Sequence, residues 1–301
     1  MTFFKFIRYK NLLLIALTQI LVHYGFLKAL DLPTALSDLN FFILSLATLF
    51  IAAAGYIIND IQDVAIDRIN KPKKTFIPAP FSQNSAFNYY LVLNISGVGL
   101  GFLLSYRMGF GNFATLFILI SALLYVYANF LKRVLLLGNL IVIVASAIGI
   151  VMVFDTIPVL QGNEQQLVNP LSVLKDYAVF ALMLNFLREI VKDIEDANGD
   201  YAAGIQSLPI LLGLERTAKL SAYIAVIYIF TVLGYIYVYL QANVWISAYL
   251  VIAIVIPLVF FCIKARYAEK HKHYSFLSKL LKLIMLLGIL SLGVLTLTLK
   301  Y

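Results

Sequence analysis

Charge is what this sequence has least of. Only 13% of its 301 residues are Asp, Glu, Lys or Arg, while 62% are apolar and the mean hydropathy is +0.92. An ordinary soluble domain carries about 25% charged and about 45–50% apolar residues. That deficit excludes a soluble globular protein and makes lipid the solvent for most of the chain. The single cysteine, Cys262, excludes an intramolecular disulfide; within its apolar run it reads as a packing residue. His23, His271 and His273 are the only histidines and are scattered, so no Cys/His metal spacing exists. A glycine-rich phosphate loop and a G-x-S-x-G elbow are also absent. No basic stripe with interleaved aromatics lies on a soluble module, so the net charge of +8 is no argument for nucleic acid as a partner.

What the chain has in abundance is apolar runs at near-even intervals. Crossing a hydrocarbon core of ~30 Å takes about 20 apolar residues in a helix. Every backbone polar group in lipid must be paired internally, which leaves helices or closed barrels. These runs do not alternate with period two, so helices are expected. The fold expected is all-α, a polytopic membrane bundle around a central cavity. Its nine spans fall near residues 11–30, 39–58, 87–106, 111–131, 135–155, 176–194, 218–240, 244–265 and 278–299. The sixth is the least apolar, because it runs into charge at Arg188. Residues 1–10 are basic and precede an apolar run too long for a signal-peptide core, so the first span is expected to be retained. One bundle implies a single membrane-embedded domain over 1–301.

Basic residues divide unevenly between alternate loops. Nineteen fall in one set, from Lys5, Arg8 and Lys10 through Arg68, Lys132 and Arg188 to Lys282; the other set holds Lys28, Arg107, Lys175 and Lys300. The positive-inside rule makes the first set cytoplasmic. The N-terminus is then inside and the C-terminus on the opposite side, and the basic loops meet anionic membrane lipid.

The 15 acidic residues are concentrated: eight occupy two short windows. The first supplies Asp60, Asp63 and Asp67, and the second Glu189, Asp193, Glu195, Asp196 and Asp200. Asp60/63/67 and Asp193/196/200 share the spacing i, i+3, i+7, which on a helix brings each trio within about 60° of one face. Both windows follow even-numbered spans and open on the cytoplasmic side. Two like charges 4 Å apart repel by roughly 4 kcal/mol at an effective dielectric of about 20, so clustered carboxylates at a membrane boundary call for a cation. Hard oxygen ligands suit magnesium, which binds one or two carboxylates plus substrate phosphates. Two such clusters suggest a diphosphate bridged by Mg2+. Acids after a transmembrane helix are ordinarily just solvated loop, but solvated acids would be scattered among lysines without matched spacing.

These windows resemble the signatures of the UbiA-type intramembrane prenyltransferase superfamily. Its first motif, N-D-x-x-D-x-x-x-D, is matched by Asn59, Asp60, Asp63 and Asp67, and its frequent Asn-x-Pro continuation by Asn70 and Pro72. The second aspartate motif is matched by Asp193, Asp196 and Asp200. The stretch from Arg188 to Asp200 looks most like the geranylgeranylglycerol-phosphate geranylgeranyltransferase branch, which makes an ether lipid by prenylating a hydroxyl. After Pro72 the family's Arg-Pro is replaced by Lys74-Thr75, keeping charge but losing the planar guanidinium fork. The resemblance implies that the six aspartates hold Mg2+ on a polyprenyl diphosphate donor. It also implies that a tyrosine and a lysine at the end of the fourth helix assist, where Tyr125, Tyr127, Lys132 and Arg133 stand. Interfacial aromatics and positive-inside charge explain those four equally. Asn11 sits where the family often has a polar residue facing diphosphate or metal; an interhelical hydrogen bond is the alternative.

The chemistry expected is transfer of a polyisoprenyl group, geranylgeranyl by the branch resemblance, to a lipophilic acceptor such as the hydroxyl of a prenylated glycerol phosphate. Arg68, Lys71, Lys74, Arg188 and Lys192 are candidates for added positive charge on the diphosphate, and Tyr56, Phe186 and Tyr125 for aromatic faces beside an allylic cation. Residues 68–85 and 199–209 are candidate lids. An aromatic quinone precursor or a porphyrin is the alternative acceptor. The rival of another class is a transporter with carboxylate ion sites, although transporters tend to place such groups at the bilayer midplane on broken helices.

Overall fold

The structure is a computed structural model that describes residues 2–32, 34, 36–70, 75–130 and 170–300. Among these residues the regular structure is helical: α1 (Thr2–Phe6), α2 (Tyr9–Ile20), α3 (Asp38–Gln62), α4 (Val64–Asn70), α5 (Gln83–Met108), α6 (Phe113–Asn129), α7 (Pro170–Ala202), α8 (Leu208–Leu212), α9 (Leu214–Tyr235), α10 (Val244–Leu250), α11 (Ile256–Arg266) and α12 (His271–Lys300). α2 continues through a π-helical turn, Leu21–Leu27, into a 3₁₀ turn, Lys28–Leu30; a π segment, Val251–Val255, joins α10 to α11.

Six helical stretches are long and apolar enough to cross a membrane: Tyr9–Leu30, Asp38–Gln62, Gln83–Met108, Leu214–Leu240, Val244–Arg266 and His271–Lys300. They match the first, second, third, seventh, eighth and ninth expected spans. α6 covers the fourth as a shorter apolar helix of 17 residues. α7 covers the sixth and has the length, 33 residues, but its last third is charged. The fifth expected span, 135–155, lies outside the described residues. Large apolar side chains stand open on these helices, Ile95 at 69% and Phe230 at 68% exposure among them. In water such a surface is an aggregation liability; in a bilayer it is the lipid-facing side.

Helix ends follow local chemistry. Ser37 Oγ accepts the Asn40 N–H at the start of α3, and Ser82 Oγ accepts the Ser85 N–H at the start of α5. α5 stops at Gly109, whose φ of +73° lies in the left-handed region that favours a residue without Cβ.

The described chain divides into two compact units. The first holds residues from Met1–Gln19, Pro33–Gln166 and Ala202–Ile205; the second holds residues from Ile20–Leu32, Leu167–Tyr201 and Gln206–Tyr301.

In the first unit α3, α5 and α6 pack against one another. Gly97 and Gly101 make the approach possible: a Cβ on Gly97 would lie 2.7 Å from Ile51 Cγ1 and 3.1 Å from the Ala47 carbonyl oxygen, and one on Gly101 would enter the Phe117 ring. This is the small-x-x-x-small device of membrane helix pairs. Toward the C-terminal end of α3, Ala54, Ile57, Ile58 and Ile61 form a second cluster with Phe6, Ile77, Ala86, Tyr90 and Ala128. Phe6 is fully buried, its ring 4.9 Å from Phe81 and 5.5 Å from Phe76. The N-terminal helix is thereby docked beside the end of α3 that carries the first acidic window. Residues 75–82, expected as part of a lid, are packed here through Phe76, Ile77 and Phe81.

In the second unit Leu184, Leu187, Val191 and Ile194 of α7 recur at helical spacing and join a core with Ala218, Ala225 and Ile229 of α9, Leu258 and Phe261 of α11, and Tyr274, Leu277 and Leu281 of α12. At 100° per residue Asp193, Asp196 and Asp200 lie about 170° round α7 from that stripe. Packing the apolar face fixes where the carboxylates go.

Candidate active site

The first window is built on a helix with one interruption. α3 ends at Gln62, Asp63 caps it with φ −90° and ψ 4°, and α4 begins at Val64. The i→i−4 bonds nonetheless continue through the break, from the Asp63 N–H to the Asn59 carbonyl (2.9 Å) and from the Asp67 N–H to the Asp63 carbonyl (2.8 Å). The trio expected on one uninterrupted helix is therefore spread over two helical segments with a shared hydrogen-bond ladder. Asp60 and Asp63 are buried, at 8% and 6% exposure, and Asp67 is half-buried. Asn59 Nδ2 donates to Asp63 Oδ2 at 2.7 Å, so the motif's asparagine orients its second aspartate.

Asp60 has a partner from elsewhere in the chain. Arg8 donates through a terminal guanidinium nitrogen to Asp60 Oδ1 at 2.5 Å, and its guanidinium lies 5.0 Å from the centre of the Tyr56 ring. Tyr56 and Asp60 stand at i and i+4 on α3, hence on one face. From the sequence alone Arg8 is one of several basic residues expected on the cytoplasmic side. Standing between Lys5 and Lys10 in a basic N-terminal stretch, it carries no signal of a contact 52 residues away.

The second window lies on unbroken helix. Asp200 is buried; Glu189, Asp193 and Asp196 are half-buried. Lys192 Nζ lies 3.7 Å from Glu189 Oε1, so one of the expected diphosphate-facing cations sits against an acid of its own helix. Arg188 is half-buried on the same helix.

Of the remaining candidates, Asn11 is half-buried in the first turn of α2, its N–H donating to the Arg8 carbonyl at 2.8 Å. Arg68 is exposed on α4. Tyr125, on α6, is 42% exposed and its ring lies 6.3 Å from Tyr90. Tyr56 is engaged by Arg8, and Phe186 is half-buried on α7. Lys71, Lys74, Lys132 and Arg133 lie outside the described residues.

Among the described residues no three carboxylate, imidazole or thiol side chains converge closely enough to hold an ion by themselves. The donor chemistry still fits magnesium. The ligands are hard oxygens, two of the first window's aspartates are out of water, and a cation already stands on Asp60. Magnesium binds through one or two carboxylates and completes its shell with water and phosphate oxygens. A partial protein set is what such an ion requires.

The long apolar helices and the two acidic windows they carry define a class, the helical membrane-embedded proteins. Residues 20–297 match the UbiA prenyltransferase family, and the chain belongs to that family. The digeranylgeranylglyceryl phosphate synthase of Methanobrevibacter smithii is 35% identical over 224 residues, which cover 74% of this chain and 71% of that protein. A solved structure from work on digeranylgeranylglyceryl phosphate synthase in membranes shares the fold over 97% of this chain and 96% of its own, with a TM-score of 0.64 at 23% identity. A UbiA homolog from Archaeoglobus fulgidus bound to GPP and Mg2+ does so over 97% and 99%, with a TM-score of 0.61 at 16% identity. The protein is an integral membrane prenyltransferase. Family membership displaces the transporter reading.

Proposed function

We propose that the protein transfers a geranylgeranyl group from its diphosphate to the hydroxyl of a prenylated glycerol phosphate, with magnesium held by Asp60, Asp63, Asp67, Asp193, Asp196 and Asp200. The observation that carries the reading is the buried Asp60–Asp63 pair, oriented by Asn59 and already matched by a cation. Two aspartates withdrawn from water in a chain so poor in acids are there to bind positive charge. The named relative supports the acceptor class, and the magnesium and GPP bound to the Archaeoglobus fulgidus homolog support the donor class and the metal.

When bound, magnesium supplies Lewis acidity on the leaving diphosphate. This chain's residues supply the rest. Asn59 fixes one oxygen of Asp63, so the carboxylate needs little reorientation on binding. Arg68, Lys71, Lys74, Arg188, Lys192 and Lys132 add positive charge toward the diphosphate. Tyr125 offers an aromatic face to the allylic cation, and the apolar helix faces keep water from the allylic carbon. The active-site mouth and the N-terminus face the cytoplasm, the C-terminus faces the other side, and the whole chain acts as one prenyltransferase domain.

The test is transfer of labelled geranylgeranyl to geranylgeranylglyceryl phosphate at saturating magnesium. Asp63→Asn and Asp196→Asn are each expected to lower turnover by at least about 100-fold, or ~2.7 kcal/mol of barrier. Near wild-type turnover in both variants overturns the proposal.

A further inference from the structure

We propose that Arg8 is a positioning residue that keeps the metal's place on Asp60, so that a divalent ion enters the first motif together with the diphosphate and not alone. The inference rests on the reading of the first motif as a magnesium site.

The contact is built in. Most surface ion pairs join flexible side chains and fix nothing. Here the Asp60 side chain is 10% exposed and the Arg8 side chain 35%. Phe6, fully buried between Phe76 and Phe81, anchors the backbone two residues before Arg8. Phe3 adds an edge contact to Tyr89 at 5.2 Å. Arg8 itself has φ +54°, in the left-handed region that residues other than glycine enter uncommonly. Three hydrogen bonds hold it there: its N–H donates to the Lys5 carbonyl at 3.0 Å, and its carbonyl accepts from Asn11 at 2.8 Å and Leu12 at 3.3 Å. Tyr56 then supports the guanidinium from the α3 side. An unfavourable backbone conformation held this firmly marks a residue placed for a purpose.

The consequence is a competition. Arginine stays charged at any pH a protein meets, so Asp60 always has a tethered counter-ion. A lone divalent ion must displace that tethered cation, whose effective concentration is high, and leaves the guanidinium without a carboxylate in a partly buried place. A divalent ion arriving with a diphosphate brings phosphate oxygens that the planar fork of arginine can take in exchange. Arg8 therefore opposes binding of metal alone and favours binding of the pair, which is a positive coupling between the two ligands.

The test uses the purified full chain, with Mn2+ as the metal probe followed by EPR and geranylgeranyl thiolodiphosphate as a non-reacting donor. Without the thiolodiphosphate, Arg8→Gln is expected to bind Mn2+ about tenfold more tightly than wild type. The gain should vanish in Arg8→Gln/Asp63→Asn, which assigns it to the first motif. With Mg2+ present, thermal stabilisation by the thiolodiphosphate is expected to need about tenfold more ligand in Arg8→Gln. Arg8→Lys keeps the charge and should still keep Mn2+ out, so the proposal stays testable if Arg8→Gln fails to fold. Arg107→Gln removes a similar arginine hydrogen bond, Arg107 Nε to Asn40 Oδ1 at 2.9 Å near the opposite end of α3, and should match wild type in both assays. Identical Mn2+ isotherms for wild type and Arg8→Gln, or tight Mn2+ binding by Arg8→Lys, overturn the inference while the metal site stands. A wild-type chain that gains no Mg2+-dependent stabilisation from the thiolodiphosphate overturns the metal reading itself, and that result is separate.

Discussion

At the end of α3 the three aspartates run across a break in the helix, and an arginine brought from the N-terminus stands on the first of them. On α7 the same spacing occupies continuous helix, with the carboxylates set opposite a packed apolar stripe. Both arrangements answer one problem, how to keep several negative charges at the edge of a hydrocarbon core. The first imports a positive charge onto a buried carboxylate and leaves the guanidinium partly exposed. The second holds its acids together on the face opposite the apolar stripe, with Lys192 set against Glu189 on the same helix. Matched spacing in a sequence thus says that two sites share a task, and says little about how each is stabilised.

The sharpest way to break this comparison is through Phe6. Truncating it empties a site between Phe76 and Phe81 and removes the anchor of Arg8. Phe6→Ala is expected to lower stability by about 3 kcal/mol, read as a fall in Tm of the purified protein without metal. It should also raise Mn2+ binding at the first motif, as Arg8→Gln does, and leave the second motif's contribution unchanged. A loss of stability with unaltered metal binding would mean that the N-terminal helix is only packing.

The two aspartates that begin the motifs should respond in opposite directions. Asp60→Asn strips Arg8 of its counter-charge and is expected to cost about 2 kcal/mol, the scale of a hydrogen bond to a charged group. Asp193→Asn relieves repulsion from Glu189 one turn before it and from Asp196 one turn after it, like-charge pairs that are destabilising on a helix. It should therefore raise the metal-free Tm. Both variants lose turnover, so activity alone cannot separate them. A chemical-denaturation series on each, without divalent ions, checks the sign.

The helices of this protein were legible because their apolar runs are long, and the motif aspartates because acids are so rare elsewhere. Two features were not. The break at Asp63 has no Gly or Pro to announce it, and the hydrogen-bond ladder crosses it intact. The Arg8–Asp60 contact depends on how α1 docks, which a five-residue helix among basic neighbours does not reveal. The close packing of α3, α5 and α6 does have a sequence signal, Gly97-x-x-x-Gly101, fainter than the aspartate pattern.

That glycine pair gives a further contrast between the units. Gly101→Ala puts a methyl into the Phe117 ring, and the overpacking should cost about 2 kcal/mol. Among the described residues Gly288, on α12, has only Ile254 Cδ1 near, 3.7 Å from where a Cβ would stand. Gly288→Ala fits that space and should gain about 0.5 kcal/mol from helix propensity. Equal Tm values for the two variants would show that α5 can shift away from α6.

The smallest expected difference concerns polar bonds between helices. Ser121 Oγ donates to Asn94 Oδ1 at 2.7 Å in the first unit, and Tyr177 Oη lies 2.8 Å from Ser291 Oγ in the second. Ser291 spends its one hydrogen on the Gly288 carbonyl at 2.7 Å, so Tyr177 must be the donor to Ser291. Such bonds average only about 0.6 kcal/mol in membranes, because the unfolded helices also find partners. Ser121→Ala should cost about that much, since Asn94 keeps its bond to Tyr90 Oη at 3.0 Å. Ser291→Ala leaves the Tyr177 hydroxyl without an acceptor beside a nearly inaccessible site, so about 1 kcal/mol is expected. Tyr177→Phe removes that donor with its acceptor still satisfied in its own donation to Gly288, and should cost less than Ser291→Ala. The reverse order would mean that the hydroxyl hydrogens point the other way.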